Sequence, residues 1–165
     1  MQLQTKRLVI RDYRDSDIPD MLEIFGDSLV MEFCEPPYDE ARLRKALPLL
    51  KKVSYAVTLD GKVIGHALFK QLPMEEDGIY EIGWIFGRKY WGRGYAYEAA
   101  QALVDYGFRQ LHLHKICAET VDPAKSGGLA QRLGMEPEGR FRAHTRDLTG
   151  AWADLFWYAI VNSEE

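Results

Sequence analysis

Three features of the sequence predict an α/β fold on one mixed sheet: alternating apolar segments joined by turn signals, a central strand–helix–strand unit, and a closing pair of long strands. Leu3 to Asp12 alternates around Leu8, Val9 and Ile10 and reads as an opening strand. Asp15 or Ser16 then caps a helix whose Ile18, Met21, Leu22 and Phe25 recur at helical spacing, with Gly26 as its stop. Glu35-Pro36-Pro37 breaks the chain, and Asp39 to Lys51 reads as a second amphipathic helix interrupted by Pro48. Ser54 to Leu59 and Lys62 to Gln71 form a hairpin, because Asp60-Gly61 supplies the positive backbone angles of a tight turn. A loop is expected over Glu75, Glu76, Asp77 and Gly78.

Ile79 to Phe86 is apolar on both faces and predicts a further strand. A long helix follows from about Tyr95 to Gln110, its stripe of Ala96, Ala99, Ala100, Leu103, Val104, Gly107 and Phe108 advancing by threes and fours. Lys115 to Val121 completes the strand–helix–strand unit, so the two strands should run parallel. A short helix over Ser126 to Leu133 closes at Gly134. The last strands, Gly139 to Leu148 and Trp152 to Val161, meet at Thr149-Gly150, and the second suits an interior strand covered on both sides.

The 165 residues, 47% apolar, fit a single domain over residues 1–165. The net charge of −4 argues against a nucleic-acid or anionic-lipid coat. Leu155 to Val161 is far short of the roughly 20 apolar residues of a bilayer span, and the N-terminal residues carry acids in place of a signal core; a cytoplasmic location without membrane contact is expected. Cys34 and Cys117 stand far apart without Cys-x-x-Cys or Cys/His spacing, so no disulfide or metal is expected and Cys117 reads as a small core residue. His112 and His114 read as surface or turn residues.

Chemistry concentrates in Gly87-Arg88-Lys89-Tyr90-Trp91-Gly92-Arg93-Gly94-Tyr95-Ala96, between a strand and a long helix. Glycines at such a junction leave backbone N–H groups at the positive end of the helix, a geometry that binds phosphate. Arg88, Lys89 and Arg93 add local positive charge; an isolated pair of glycines would read as a solvated connector, but strand, helix and charge together point to an anion. A dinucleotide fingerprint is weakened by Tyr97 at the third glycine position, and a P-loop fails because Ala124-Lys125-Ser126 lacks its glycine.

Glu81-Ile82-Gly83-Trp84-Ile85-Phe86, then Tyr90-Trp91-Gly92-Arg93-Gly94-Tyr95-Ala96 with Glu98-Ala99, then Val121-Asp122-Pro123 and Leu133-Gly134-Met135, resemble the GNAT superfamily of acyl-CoA-dependent N-acetyltransferases, in its ribosomal-protein N-terminal (Rim-type) subgroup. The resemblance runs from Thr5-Lys6-Arg7-Leu8 to Asp154 and Tyr158. It implies a GNAT fold: a mostly antiparallel mixed sheet, a splayed central parallel pair, and about four flanking helices. It also implies acetyl-CoA as co-substrate, with Arg88, Trp91, Gly92, Arg93, Gly94, Tyr95 and Ala96 around the pyrophosphate and Trp84, Ile85 and Phe86 along the pantetheine arm. A bulge at the splay would free an N–H to polarise the thioester. By the same resemblance Glu81 is the general base and Ser126 the hydroxyl for the departing thiolate. The Asp122-Pro123-Ala124-Lys125-Ser126 loop is shorter than the subgroup's pattern, which leaves Ser126 either catalytic or merely a helix cap, and Tyr97 replaces a small hydroxyl residue.

Between Tyr13 and Ala41 stand nine acids (Asp15, Asp17, Asp20, Glu23, Asp27, Glu32, Glu35, Asp39 and Glu40) against one base, Arg14: a segment charge of −8. They read either as solvated helix faces or as an acidic rim for a cationic amine. The implied partner is an amine acceptor, a small molecule or a protein N-terminus, with a homodimer left open. The alternative is an acyl-CoA-binding sensor with little catalysis.

Overall fold

The computed structural model describes residues 1–72 and 78–163, so Glu75, Glu76 and Asp77 of the expected loop lie outside the described residues. The elements are β1 (Gln2–Gln4), β2 (Val9–Arg11), α1 (Ile18–Phe25), α2 (Glu40–Val53), β3 (Ser54–Leu59), β4 (Lys62–Gln71), β5 (Ile79–Phe86), α3 (Tyr95–Gln110), β6 (Lys115–Thr120), α4 (Ser126–Arg132), β7 (Glu136–Arg146) and β8 (Trp152–Val161), with single 3-10 turns over Asp15–Asp17 and Arg88–Tyr90. The strands form one sheet in the order β1-β2-β3-β4-β5-β6-β8-β7. Neighbours are antiparallel except β5 and β6. This is the mixed, mostly antiparallel sheet with four helices that the GNAT resemblance implies.

The sheet separates two apolar clusters. Ile82 and Phe86 of β5 and Ile116 of β6 pack with Ala99, Ala100, Leu103 and Val104 of α3 and Ala130 of α4. On the other face Met21, Ile24 and Phe25 of α1 and Leu43 and Leu47 of α2 pack with Ala56 and Val63. Truncating a fully buried member such as Leu103 or Ile82 to Ala would cost about 2–5 kcal/mol through lost transfer energy and the cavity left behind.

Four expectations are corrected. The opening strand is a hairpin: the Thr5 N–H donates to the Leu8 carbonyl at 2.9 Å and the Leu8 N–H to Thr5 Oγ1 at 2.9 Å, so the chain folds back and β1 pairs with β2. Helix α2 runs unbroken through Pro48, because Pro48 sits on the exposed side, where water can take up the carbonyl that its missing N–H leaves free. Strand β7 begins at Glu136 and carries register shifts at Pro137/Gly139 and Phe141/Thr145, which break the alternation that periodicity relies on. Strand β8 is interior by pairing but fully buried only at Tyr158 and Ala159, and Trp152 stands 60% exposed.

Turn and cap chemistry explains the remaining boundaries. Asp60 and Gly61 take φ of 49° and 83°, the turn that matches strand twist between β3 and β4. The Asp17 carboxylate accepts the Arg14 N–H at 2.8 Å and a forked pair from Arg11 at 2.8 Å, which anchors the entry to α1. Asp39 caps α2 by accepting the Arg42 N–H at 2.7 Å.

Candidate functional site

Parallel pairing of β5 with β6 covers Ile79↔Lys115, Tyr80↔Ile116 and Glu81↔Cys117 and then stops. Strand β4 stays in register with β5 as far as Gly65↔Phe86, and β6 stays in register with β8 over its whole length. The splay is therefore a divergence of two intact half-sheets, with no register shift in either flanking pair, and the bulge expected there is absent. Beyond Glu81 the β6-facing backbone of β5 is left for another occupant.

A cavity of about 710 Å³ opens at that divergence, within the roughly 300–1,000 Å³ usual for ligand sites. Its walls are the end of β5 (Trp84, Ile85, Phe86), the loop and first turn of α3 (Trp91, Gly92, Gly94, Tyr95, Ala96), the face of α4, and the α1–α2 connection at Glu32 and Phe33. Of the residues carried into the coenzyme set, these eight line the cavity. Arg88 and Arg93 do not.

Local chemistry shapes the end of the cavity at the start of α3. Gly92 and Gly94 take φ of 71° and 78°, left-handed backbone that turns the chain into α3. The Glu98 N–H donates to the Gly94 carbonyl at 3.0 Å, so the N–H groups of Tyr95, Ala96 and Tyr97 precede the helical ladder and carry its positive end. Trp91 Nε1 donates to the Phe86 carbonyl at 2.7 Å and ties the loop to the end of β5.

Two of the three basic side chains of the loop, those of Arg88 and Lys89, are taken up by acids. Arg88 pairs with Asp27 at 2.9 Å and Lys89 with Glu23 at 2.8 Å. These four residues line a smaller cavity of about 360 Å³ whose charges satisfy one another. Lys125 and Arg132 line the main cavity instead, Arg132 with its guanidinium 4.7 Å from the Tyr97 ring centre and Lys125 with its ammonium 6.0 Å from the Trp91 ring centre. Lys125, Leu129 and Arg132 recur at i, i+4 and i+7, the spacing by which one helix face could have been picked out from sequence.

Ser126 lines the cavity as the first residue of α4. It is not the cap: Asp122 Oδ1 accepts the Ala124 and Lys125 N–H groups at 3.2 and 3.1 Å, and no side-chain cap bond is made at the helix start. Glu81 sits off the cavity lining, on the last position of β5 paired with β6, with its side chain 10% exposed and 3.1 Å from Lys70 Nζ. Glu119, on the diverging part of β6, has its carboxyl pushed above the ordinary value by desolvation and by the charge of Glu81. Burial pushes the Cys117 thiol up to about 12, as suits a core residue.

The acidic run resolves into partnerships. Asp15 pairs with Lys51, Asp17 with Arg11, Asp20 and Glu23 with Lys62, Asp27 with Arg88, Glu35 with Arg42 and Glu40 with Arg44, while Asp39 caps α2. Glu32 makes no hydrogen bond or ion pair among the described residues, is exposed, and lines the cavity beside Phe33.

Residues 7–136 match the family described as Acetyltransferase (GNAT) domain. The chain is 34% identical to the uncharacterized N-acetyltransferase YnaD of Bacillus subtilis, over 99% of each sequence. It is 29% identical to the [Ribosomal protein uS5]-alanine N-acetyltransferase of Escherichia coli, over 99% of this chain and 92% of that one. The crystal structure of a GNAT-family acetyltransferase from Bacillus anthracis superposes with a TM-score of 0.89 at 33% identity, covering all of both chains. With the splayed parallel pair and the glycine loop opening α3, these similarities establish that the chain belongs to the GNAT acetyltransferase family.

Proposed function

We propose that the protein moves an acetyl group from acetyl-CoA to a primary amine by direct attack of the amine on the thioester. The observation that carries this reading is the cavity itself, which joins an anion-binding helix start to an open strand edge. The N–H groups of Tyr95, Ala96 and Tyr97, with Lys125 and Arg132, take the phosphates. The open backbone along Trp84, Ile85 and Phe86 takes the amide-bearing arm as a further strand would. The Ser126 hydroxyl donates to the sulfur that leaves.

Attack requires an uncharged amine, and Glu81 takes its proton, through water because the carboxylate stands back from the cavity wall. Glu32 with Phe33 faces the acceptor, which favours a cation joined to an apolar group. The alanine N-terminus named for the E. coli relative and small-molecule amines both meet that description. Thiol release from acetyl-CoA over an amine panel tests the reading. Glu81→Gln should lower kcat about 100- to 10,000-fold with coenzyme affinity unchanged. Coenzyme binding by the unaltered protein without turnover on any amine would favour an acyl-CoA sensor instead.

A further inference from the structure

The first turn of α3 contains Glu98, a negative charge at the helix end proposed to receive phosphates. Left uncompensated, it would compete with an anionic ligand for the same N–H groups and dipole. The β1–β2 turn reaches across the fold to it. Arg7 Nε donates to Glu98 Oε2 at 2.6 Å, the Arg7 N–H to Glu98 Oε1 at 2.8 Å, and Thr5 Oγ1 to Glu98 Oε1 at 2.6 Å. Burial alone would raise the Glu98 carboxyl; the Thr5 and Arg7 hydrogen bonds hold it below its ordinary value.

Arg7 also holds the loop. Its Nη1 donates to the Arg93 carbonyl at 2.9 Å and its guanidinium lies 4.4 Å from the Tyr95 ring centre. In a trans peptide the carbonyl and the following N–H point to opposite sides, so fixing the Arg93 carbonyl toward Arg7 aims the Gly94 N–H away from it. One side chain thus clamps the loop and neutralises the acid beside it.

We propose that Arg7 is a positioning residue for the coenzyme, acting through Glu98 and the Arg93–Gly94 peptide. The inference rests on the coenzyme reading above. Calorimetry with coenzyme A separates the two: no binding by the unaltered protein sinks that reading, whereas binding that survives every Arg7 change sinks only this one. Arg7→Gln should raise the Kd about tenfold or more and raise the KM for acetyl-CoA, with kcat at saturation and the KM for the amine within about twofold. Arg7→Gln combined with Glu98→Gln should recover affinity to within about threefold, because the uncompensated charge is gone. Equal loss in single and double variants, or an unchanged Kd, would overturn the proposal. If Arg7→Gln does not fold, Arg7→Lys, which keeps the charge and loses the fork, should raise the Kd about threefold, and an unchanged value has the same overturning force.

Discussion

Glu81 and Lys70 face each other across β5 and β4, with Glu81 Oε2 3.1 Å from Lys70 Nζ, at the last point where β5 still has β6 beside it. The Glu81 side chain is nearly buried and the Lys70 side chain 36% exposed, so the lysine supports the acid from its wetter side. Lys70→Met should cost about 1 kcal/mol in urea unfolding, water screening the loss. Lys70→Met with Glu81→Gln should cost less than the two separate changes summed, the signature of a coupled pair.

Glu32 is exposed on the cavity wall, and in the proposed reading it meets the cationic acceptor. Glu32→Gln should raise the KM for a cationic acceptor about tenfold and weaken its dependence on ionic strength, while the KM for acetyl-CoA stays put. Steady-state kinetics at two salt concentrations reads both effects.

Gly94 combines a φ of 78° with a place on the cavity wall. Gly94→Val should lower coenzyme affinity about 100-fold, by putting a branched side chain at the phosphate end and straining a left-handed residue. The strain alone costs about 1–2 kcal/mol of stability, so circular dichroism should still show a folded chain.

Buried His66 lies 2.8 Å through Nδ1 from the Tyr13 hydroxyl and is edge-on to Phe25, with ring centres 5.2 Å apart. Burial pushes its pKa down to about 4 from an ordinary 6.5. The unfolded chain therefore gains a proton below about pH 6.5 that the folded chain refuses until about pH 4. Stability is full above that window and falls through it as pH drops, by up to about 1.4 kcal/mol per unit. Thermal melts from pH 7 to 4 should show a shallower decline for His66→Asn, which keeps an acceptor for Tyr13.

What the sequence shows and hides follows the range of each interaction. The β3–β4 hairpin, α3 and the glycine loop are written in local periodicity and turn residues, so their positions read directly. The destination of Arg88 does not: its partner Asp27 lies on the connection after α1, and only the tertiary fold brings the two together. For the same reason a run of acids that looks like one charged surface becomes a set of ion pairs with Glu32 left over. Ser126 reads from sequence as either a catalytic hydroxyl or a helix cap, because both depend on where the 122–126 loop turns; Asp122 turns that loop by accepting the Ala124 and Lys125 N–H groups, and Ser126 caps nothing. The bulge expected at the splay was a local device for a divergence that the sheet achieves by pairing β6 with β8.

The contact between Arg7 and Glu98 also sets an order of events during synthesis. At about 5–20 residues per second, a ribosome takes roughly 5 to 18 seconds to travel from one codon to the other. Through that interval the β1–β2 turn has no acid to grasp, and the loop it clamps has not yet been made. The clamp on the coenzyme loop thus waits for the helix, when a turn made early closes on an acid made long after it.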